Sequence, residues 1–110
     1  MMATTYKVLG QVAPTAASAT TLYTVPGATQ AIVSTINVVN TGGAADTVRI
    51  AIRIAGATLA IEDYIVYDLV LSPTATFTYT SGVTLAATDV VTVYSTNGTS
   101  SFSVFGSEIA

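Results

Sequence analysis

Along this chain apolar and polar side chains alternate in short runs, and Gly, Pro or Asn closes each run before it grows long. The cleanest alternation places Val48, Ile50, Ile52 and Ile54 on one face and Thr47, Arg49, Ala51 and Arg53 on the other, which predicts a strand covered on one side. From Gln30 to Asn40 the run is rich in β-branched residues. Ile32, Ile36 and Val38 fall on one face and Val33, Thr35 and Val39 on the other, so this strand is expected to be covered on both sides. Thr41, Gly42 and Gly43 end it. The two runs read together as an antiparallel hairpin whose loop is lengthened by Ala44 to Asp46.

Further strands are predicted at Tyr6 to Val12, Thr20 to Val25, Ile65 to Leu71, Thr74 to Thr80, Val90 to Ser95 and Phe102 to Ser107. Pro26-Gly27 suits the centre of a type II turn, Ser72-Pro73 breaks a strand, and Asn97-Gly98 tolerates positive φ, so the last two strands are expected to form a hairpin. Leu59 to Tyr64 reads equally as a short helical turn or an irregular crossing, and Thr15 to Thr21 as a loop. The fold class is therefore all-β: a single-domain antiparallel β-sandwich of about eight short strands over 1–110, with jelly-roll or immunoglobulin-like connectivity both open. Met1 to Thr5 reads as an extended N-terminal arm reaching a neighbour or as a frayed start.

Composition narrows what such a sandwich can do. Only 8% of the 110 residues are charged while 51% are hydrophobic, and the chain has no His and no Cys. The usual nucleophile and base pairings are missing, no disulfide can form, and enzymatic function is not expected. No cofactor is expected either. A net charge of −3 leaves Lys7, Arg49 and Arg53 as the only cations, too few to track a phosphate backbone, so nucleic acid is not expected as a partner. Polar residues interrupt every apolar run well short of the roughly 18 residues a membrane span needs, and Met1 to Gly10 lacks the apolar core of a secretory signal. So few charges on so apolar a chain suggest that partners cover part of its surface.

Glu62, Asp63 and Asp68 form the one local acid cluster, but they lack the calcium-loop spacing and read as loop solvation, so no metal is expected. Arg49 and Arg53 lie four residues apart on one strand face, placed either to meet an acidic neighbour or to solubilise the sheet. Tyr6, Tyr64 and Tyr67 are candidate interface anchors and Lys7, Arg49 and Arg53 candidate interface residues with them, while Tyr23, Tyr79 and Tyr94 belong to core or rim. Asn97-Gly98-Thr99 matches a glycosylation acceptor, but the Asn-Gly turn reading is preferred.

Leu9-Gly10-Gln11, Ala13-Pro14 and Thr21-Leu22-Tyr23-Thr24-Val25-Pro26, followed by Ile32-Val33-Ser34 and Tyr64-Ile65-Val66-Tyr67-Asp68, carry a family likeness. It extends through Leu85-Ala86-Ala87, Asp89-Val90-Val91-Thr92-Val93-Tyr94, Phe102-Ser103-Val104-Phe105-Gly106 and Glu108-Ile109. In order and spacing these segments resemble small structural proteins of tailed bacteriophages. The resemblance implies a virion component, and members serve as capsid decoration proteins, tail pieces or fibre modules. Without heptads or a repetitive shaft, capsid decoration is the favoured expectation. Its partners would be the major capsid protein and copies of itself on the capsid surface, with neither nucleic acid nor membrane involved. The alternatives are a tail or fibre module that binds a host-surface glycan or another tail protein, and a cellular β-sandwich adaptor.

Overall fold

The computed structural model describes residues 3–110. The apolar runs fold as nine strands: β1 (Thr4–Val12), β2 (Thr20–Thr24), β3 (Gln30–Asn40), β4 (Asp46–Arg53), β5 (Tyr64–Leu71), β6 (Thr76–Tyr79), β7 (Val83–Leu85), β8 (Val90–Ser95) and β9 (Ser100–Ile109). Two 3-10 turns, Ile54–Gly56 and Ile61–Asp63, fill the crossing between β4 and β5. The strands make two antiparallel sheets. The first runs β1-β9-β3-β6, with β7 also pairing β3, and the second runs β2-β8-β4-β5.

β6 and β7 pair with successive stretches of β3, Ile36 to Val39 and Ala31 to Val33, so they are two segments of one lane. In lane order the first then pairs with the last (β1 with β9), and β2 pairs with β8, β3 with β6 and β7, and β4 with β5. This nested pairing, split between two facing sheets, is the double Greek key of a jelly roll, and it decides between the two expected connectivities.

Both expected hairpins are corrected by it. β3 and β4 lie in different sheets, and so do β8 and β9. Each connecting loop crosses the edge of the sandwich, where four buried polar residues meet: Asn40, Asp46, Ser95 and Ser100. The Asn40 amide donates to the carbonyls of Ala44 (2.8 Å) and Leu71 (3.2 Å), while its oxygen accepts from Gly42 N (3.0 Å) and Thr99 Oγ1 (2.9 Å). The Asp46 carboxylate accepts from the Ser95 and Ser100 hydroxyls and from the backbone N–H groups of Thr47 and Asn97, both at 2.9 Å. Loop backbone that would otherwise be buried unpaired is satisfied by these side chains. Gly98 does take the positive φ (+70°) that the Asn-Gly pair suggested, but the turn sends the chain to the opposite sheet.

The core is built mainly from β-branched residues, with Val33, Ile36, Val38, Val48, Ile50, Val91, Val93 and Val104 packed around Phe102. Alternation holds in β4 through Val48 and Ile50, both fully buried, but Ala51 is buried as well, and Ile54, expected on the covered face, has left the strand for a 3-10 turn and is exposed. In β3 the expected faces hold from Thr35 to Val39 and are reversed at Ile32 and Val33. Ala31 and Val33 point inward, then the register shifts between Val33 and Thr35, and Ile36 and Val38 point inward beyond it. This bulge leaves Ile32 on the outside, 41% exposed, apart from the two residues expected to share its face. Opposite the bulge stands Gly106, where a Cβ would lie 2.0 Å from the Ile32 carbonyl oxygen. Gly10 does the same at the β1 irregularity, where a Cβ would lie 2.2 Å from the Leu22 carbonyl oxygen.

Residues 3–5 are not a free arm. Thr4 and Thr5 continue β1 against Ile109 and Glu108, and Ala3 exchanges backbone hydrogen bonds with Ala110 at 2.7 and 3.0 Å, because β9 is long enough to pair along that whole length. Met1 and Met2, the rest of the expected arm, lie outside the described residues.

Candidate functional site

The densest group of interaction-prone side chains lies on the outer face of the β2-β8-β4-β5 sheet. Arg49 stands in register with Tyr94 of β8. On its other side Val48 pairs with Leu69 and Ile50 with Val66, so β5 bulges and sets both Tyr67 and Asp68 opposite Arg49. Asp68 takes a left-handed backbone conformation to do this, with φ +52°. One strand position thereby supplies an aromatic ring and a carboxylate together. The guanidinium carbon lies 4.4 Å from the Tyr67 ring centroid, 4.7 Å from Tyr94 and 6.0 Å from Tyr64. Arg49 Nε donates to Asp68 Oδ1, and Tyr64 meets Tyr67 edge to face at 4.9 Å.

The bond to Asp68 raises the Arg49 pKa further above its already high value, so its charge is fixed at every practical pH. An exposed ion pair of this kind contributes about 0–1 kcal/mol to stability. What the cluster supplies is a pre-ordered surface. Tyr67 is 51% and neighbouring Val70 67% exposed, and a Tyr-Arg group beside an apolar residue is the composition of interface anchors.

Arg53 does not join it. Its Nε donates to Thr92 Oγ1 at 3.0 Å and its Nη1 to the Gly56 and Ala57 carbonyls, tethering the 3-10 turn to the sheet. Of the acid cluster, Asp63 accepts from Ala60 N, Asp68 holds Arg49, and no group of three acids converges among the described residues.

The other outer face, that of the β1-β9-β3 sheet, carries Tyr6. It is 83% exposed, in one cross-strand row with Ser107 and Ile32, and the next row aligns Val8, Phe105 and Thr35. Lys7 occupies an inward register position, and its Nζ lies 2.9 Å from Glu108 Oε1. The second Glu108 oxygen accepts from the hydroxyl of Tyr23, which belongs to β2 in the opposite sheet. Burial and the bond to Glu108 push the Tyr23 phenol up, while the Tyr23 hydroxyl and the Lys7 ammonium hold the Glu108 carboxyl below the usual carboxylate range. This trio clasps the two sheets at one edge. Lys7 is thus tied within the chain, while its side chain stays 46% exposed.

A shallow groove at one end of the sandwich is lined by Ile32, Thr84, Leu85, Ala86 and Ile109, with Asp89 beside it. The Asp89 carboxylate is already engaged by Ala55 N and Ala86 N, both at 2.9 Å. Sequence reasoning singled out Tyr6, Tyr64, Tyr67 and Arg49, and the structure brings the last three together. It missed Tyr94, which joins them only through the β4–β8 register, and Val8, Ile32 and Phe105, whose common outward face is set by bulges on both sides of β9.

No family model and no curated protein sequence matches this chain. Among solved structures, its fold is similar to a chain of the T13 viral particle of infectious bursal disease virus, with a TM-score of 0.53 and 10% identity over 99% of this chain and 30% of that one. It is likewise similar to a structure of the Gx strain of the same virus, with a TM-score of 0.51 and 13% identity over 99% of this chain and 32% of that one. The chain thus spans about a third of the length of the chains it matches, and at this identity the likeness is one of fold. The segments that resemble tailed-phage proteins gain no support from these comparisons.

Proposed function

We propose that this chain is a structural subunit of a virus particle, and more narrowly a decoration or cement protein held in many copies on a shell made by a major capsid protein. The observation that carries this reading is the fold: a nested jelly roll over nearly the whole chain, similar to chains of infectious bursal disease virus. Two further features support it. Large apolar side chains stand on both outer faces, with Tyr6, Val8 and Ile32 on one and Tyr67 and Val70 on the other. All three cations make contacts within the chain, Lys7 with Glu108, Arg49 with Asp68 and Arg53 with Thr92 and loop carbonyls, which supports a protein rather than a nucleic acid as partner. The sequence resemblance supports a tailed-phage source.

The function would be mechanical. Each copy contributes a modest contact, and many copies bridging neighbouring shell subunits add up through multivalent attachment. No reaction is involved, and no cofactor. The Arg49–Tyr67 cluster would be the anchor on the capsid protein, because it is ordered before contact and loses little side-chain freedom on binding. Quantitative mass spectrometry of purified virions, against the major capsid protein, tests this. Hundreds of copies tracking the shell support decoration, and absence from the virion refutes the reading.

A second reading, a tail or fibre module that binds a host-surface glycan, is favoured by one observation: the half-exposed Tyr67 ring beside the Arg49–Asp68 pair, an aromatic platform flanked by polar groups. Copies numbering a few to a few dozen that travel with separated tails would select it.

A further inference from the structure

We infer that the outer face of the β1-β9-β3-β6/β7 sheet is a self-association surface, on which the same face of a second copy of this chain packs. The inference deepens the shell-subunit reading and rests on it only in requiring that copies meet.

The first observation is where the charges are. Within the five strands of this sheet the charged residues are Lys7 and Glu108. Both stand at inward register positions, Lys7 across from Gly106, which pairs with buried Val33, and Glu108 across from buried Ala31, and they are bonded to one another. The outward positions therefore carry no charge at all. They hold Ser, Thr, Asn and Gln around an apolar centre of Tyr6, Val8, Ile32 and Phe105, of which Tyr6 is 83% exposed. A sheet face kept in water normally carries charge to prevent association. The opposite sheet follows that rule with Arg49 and Asp68 on its outer side.

The second observation is size. β1, β9 and β3 are 9, 10 and 11 residues long. At about 3.3 Å per residue and about 4.8 Å between strands, four lanes present roughly 600 Å². That approaches the ~800 Å² per partner of a standard stable interface.

The absence of charge also selects the occupant. In a twofold contact each face meets itself, so any charge near the axis would meet its own like. A charge-free face escapes that penalty. A charged partner would instead lose hydration against a surface that offers no counter-charge. Two such sheets stack at about 10 Å, letting the apolar centres interdigitate.

The test is sedimentation equilibrium of the purified chain from about 1 to 200 μM, wide enough to show weak as well as tight association. The expected result is a dimer. Ile32→Lys and Ile32→Glu, each with an unchanged circular dichroism spectrum, should each weaken it about tenfold or more. Val8→Lys repeats the test from a second strand, and Val70→Lys, on the opposite sheet, should leave the dimer intact. A wild-type monomer over the whole range overturns the inference. So does a dimer that resists the position 32 and 8 variants but yields to Val70→Lys. A monomer that still binds empty shells overturns this inference and leaves the proposed function standing. A dimer absent from virions does the reverse.

Discussion

Asp46, the first residue of β4 in one sheet, accepts a hydrogen bond from the hydroxyl of Ser100, the first residue of β9 in the other. Both side chains are buried, and the same carboxylate also takes the Ser95 hydroxyl at the end of β8. One side chain thus holds three strand ends at the corner where two loops cross the sandwich. Asp46→Ala would leave those hydroxyls and the Thr47 and Asn97 N–H groups without their acceptor, at a cost of about 3 kcal/mol or more. Urea denaturation should show this as a fall in midpoint with an unchanged slope.

The same carboxylate makes stability depend on acid. Burial pushes the Asp46 carboxyl up, but the hydrogen bonds from Ser100, Ser95, Asn97 and Thr47 outweigh it and hold the group below the usual carboxylate range. A folded pKa below the unfolded value of about 3.9 gives stability that is complete above that pH and is lost as pH falls through the folded value. Glu108, also held low, adds a contribution of the same sign. Melting temperature should therefore be flat from about pH 6 to 5 and drop below about pH 4. Asp46→Asn should begin lower and fall less steeply.

Gly106 lies where β9 meets the bulge in β3, and a methyl group there would meet the Ile32 carbonyl oxygen at 2.0 Å. Backbone on both sides must move to admit it. Gly106→Ala should destabilise by about 3 kcal/mol, at the upper end of overpacking costs, whereas Gly43→Ala, with open space at its Cβ, should change stability by under about 1 kcal/mol. Thermal melts of the two variants side by side check this.

How these features stood in the sequence differs residue by residue. Eight of the nine strands were legible, because period-two runs bounded by turn residues reflect sheets wet on one face. β7 was not, since Val83 to Leu85 is too short to show a period. Asn97-Gly98 announced a turn truthfully, but turn chemistry acts over four residues and says nothing of which sheet the next strand joins. That choice rests on Asp46, half the chain away. Likewise the faces of β3 could not be read through Ser34, because a bulge inverts the alternation and its partner cause, Gly106, is remote in sequence. The Arg49 cluster was half legible: Tyr64 and Tyr67 stood out as aromatics near acids, while Tyr94 and the pairing of Asp68 with Arg49 needed the strand register.

Tyr67→Ala separates binding from folding. The ring is half exposed and its contacts are with surface groups, so the variant should stay within about 0.5 kcal/mol of the parent in stability. If the cluster anchors the chain to a capsid shell, cosedimentation with empty shells should weaken about tenfold or more, as expected for an interface anchor. Asp68→Asn, which keeps the ring but loses the charge that positions Arg49, should give a smaller loss that salt mimics.

β9 occupies the middle of its sheet, between β1 and β3, and it emerges from the ribosome after every other described strand. Until it arrives β1 has no strand to pair with, β3 lacks one neighbour, and the apolar faces that will meet around Phe102 stand open. Among the described strands β4 and β5 are the one pair consecutive in sequence, able to join across the 3-10 turns as soon as both are made. Completion of this fold therefore waits on β9 and is set by slow pairing of segments distant along the chain. Nascent chains stalled before Ser100 should remain open to chaperones and proteases.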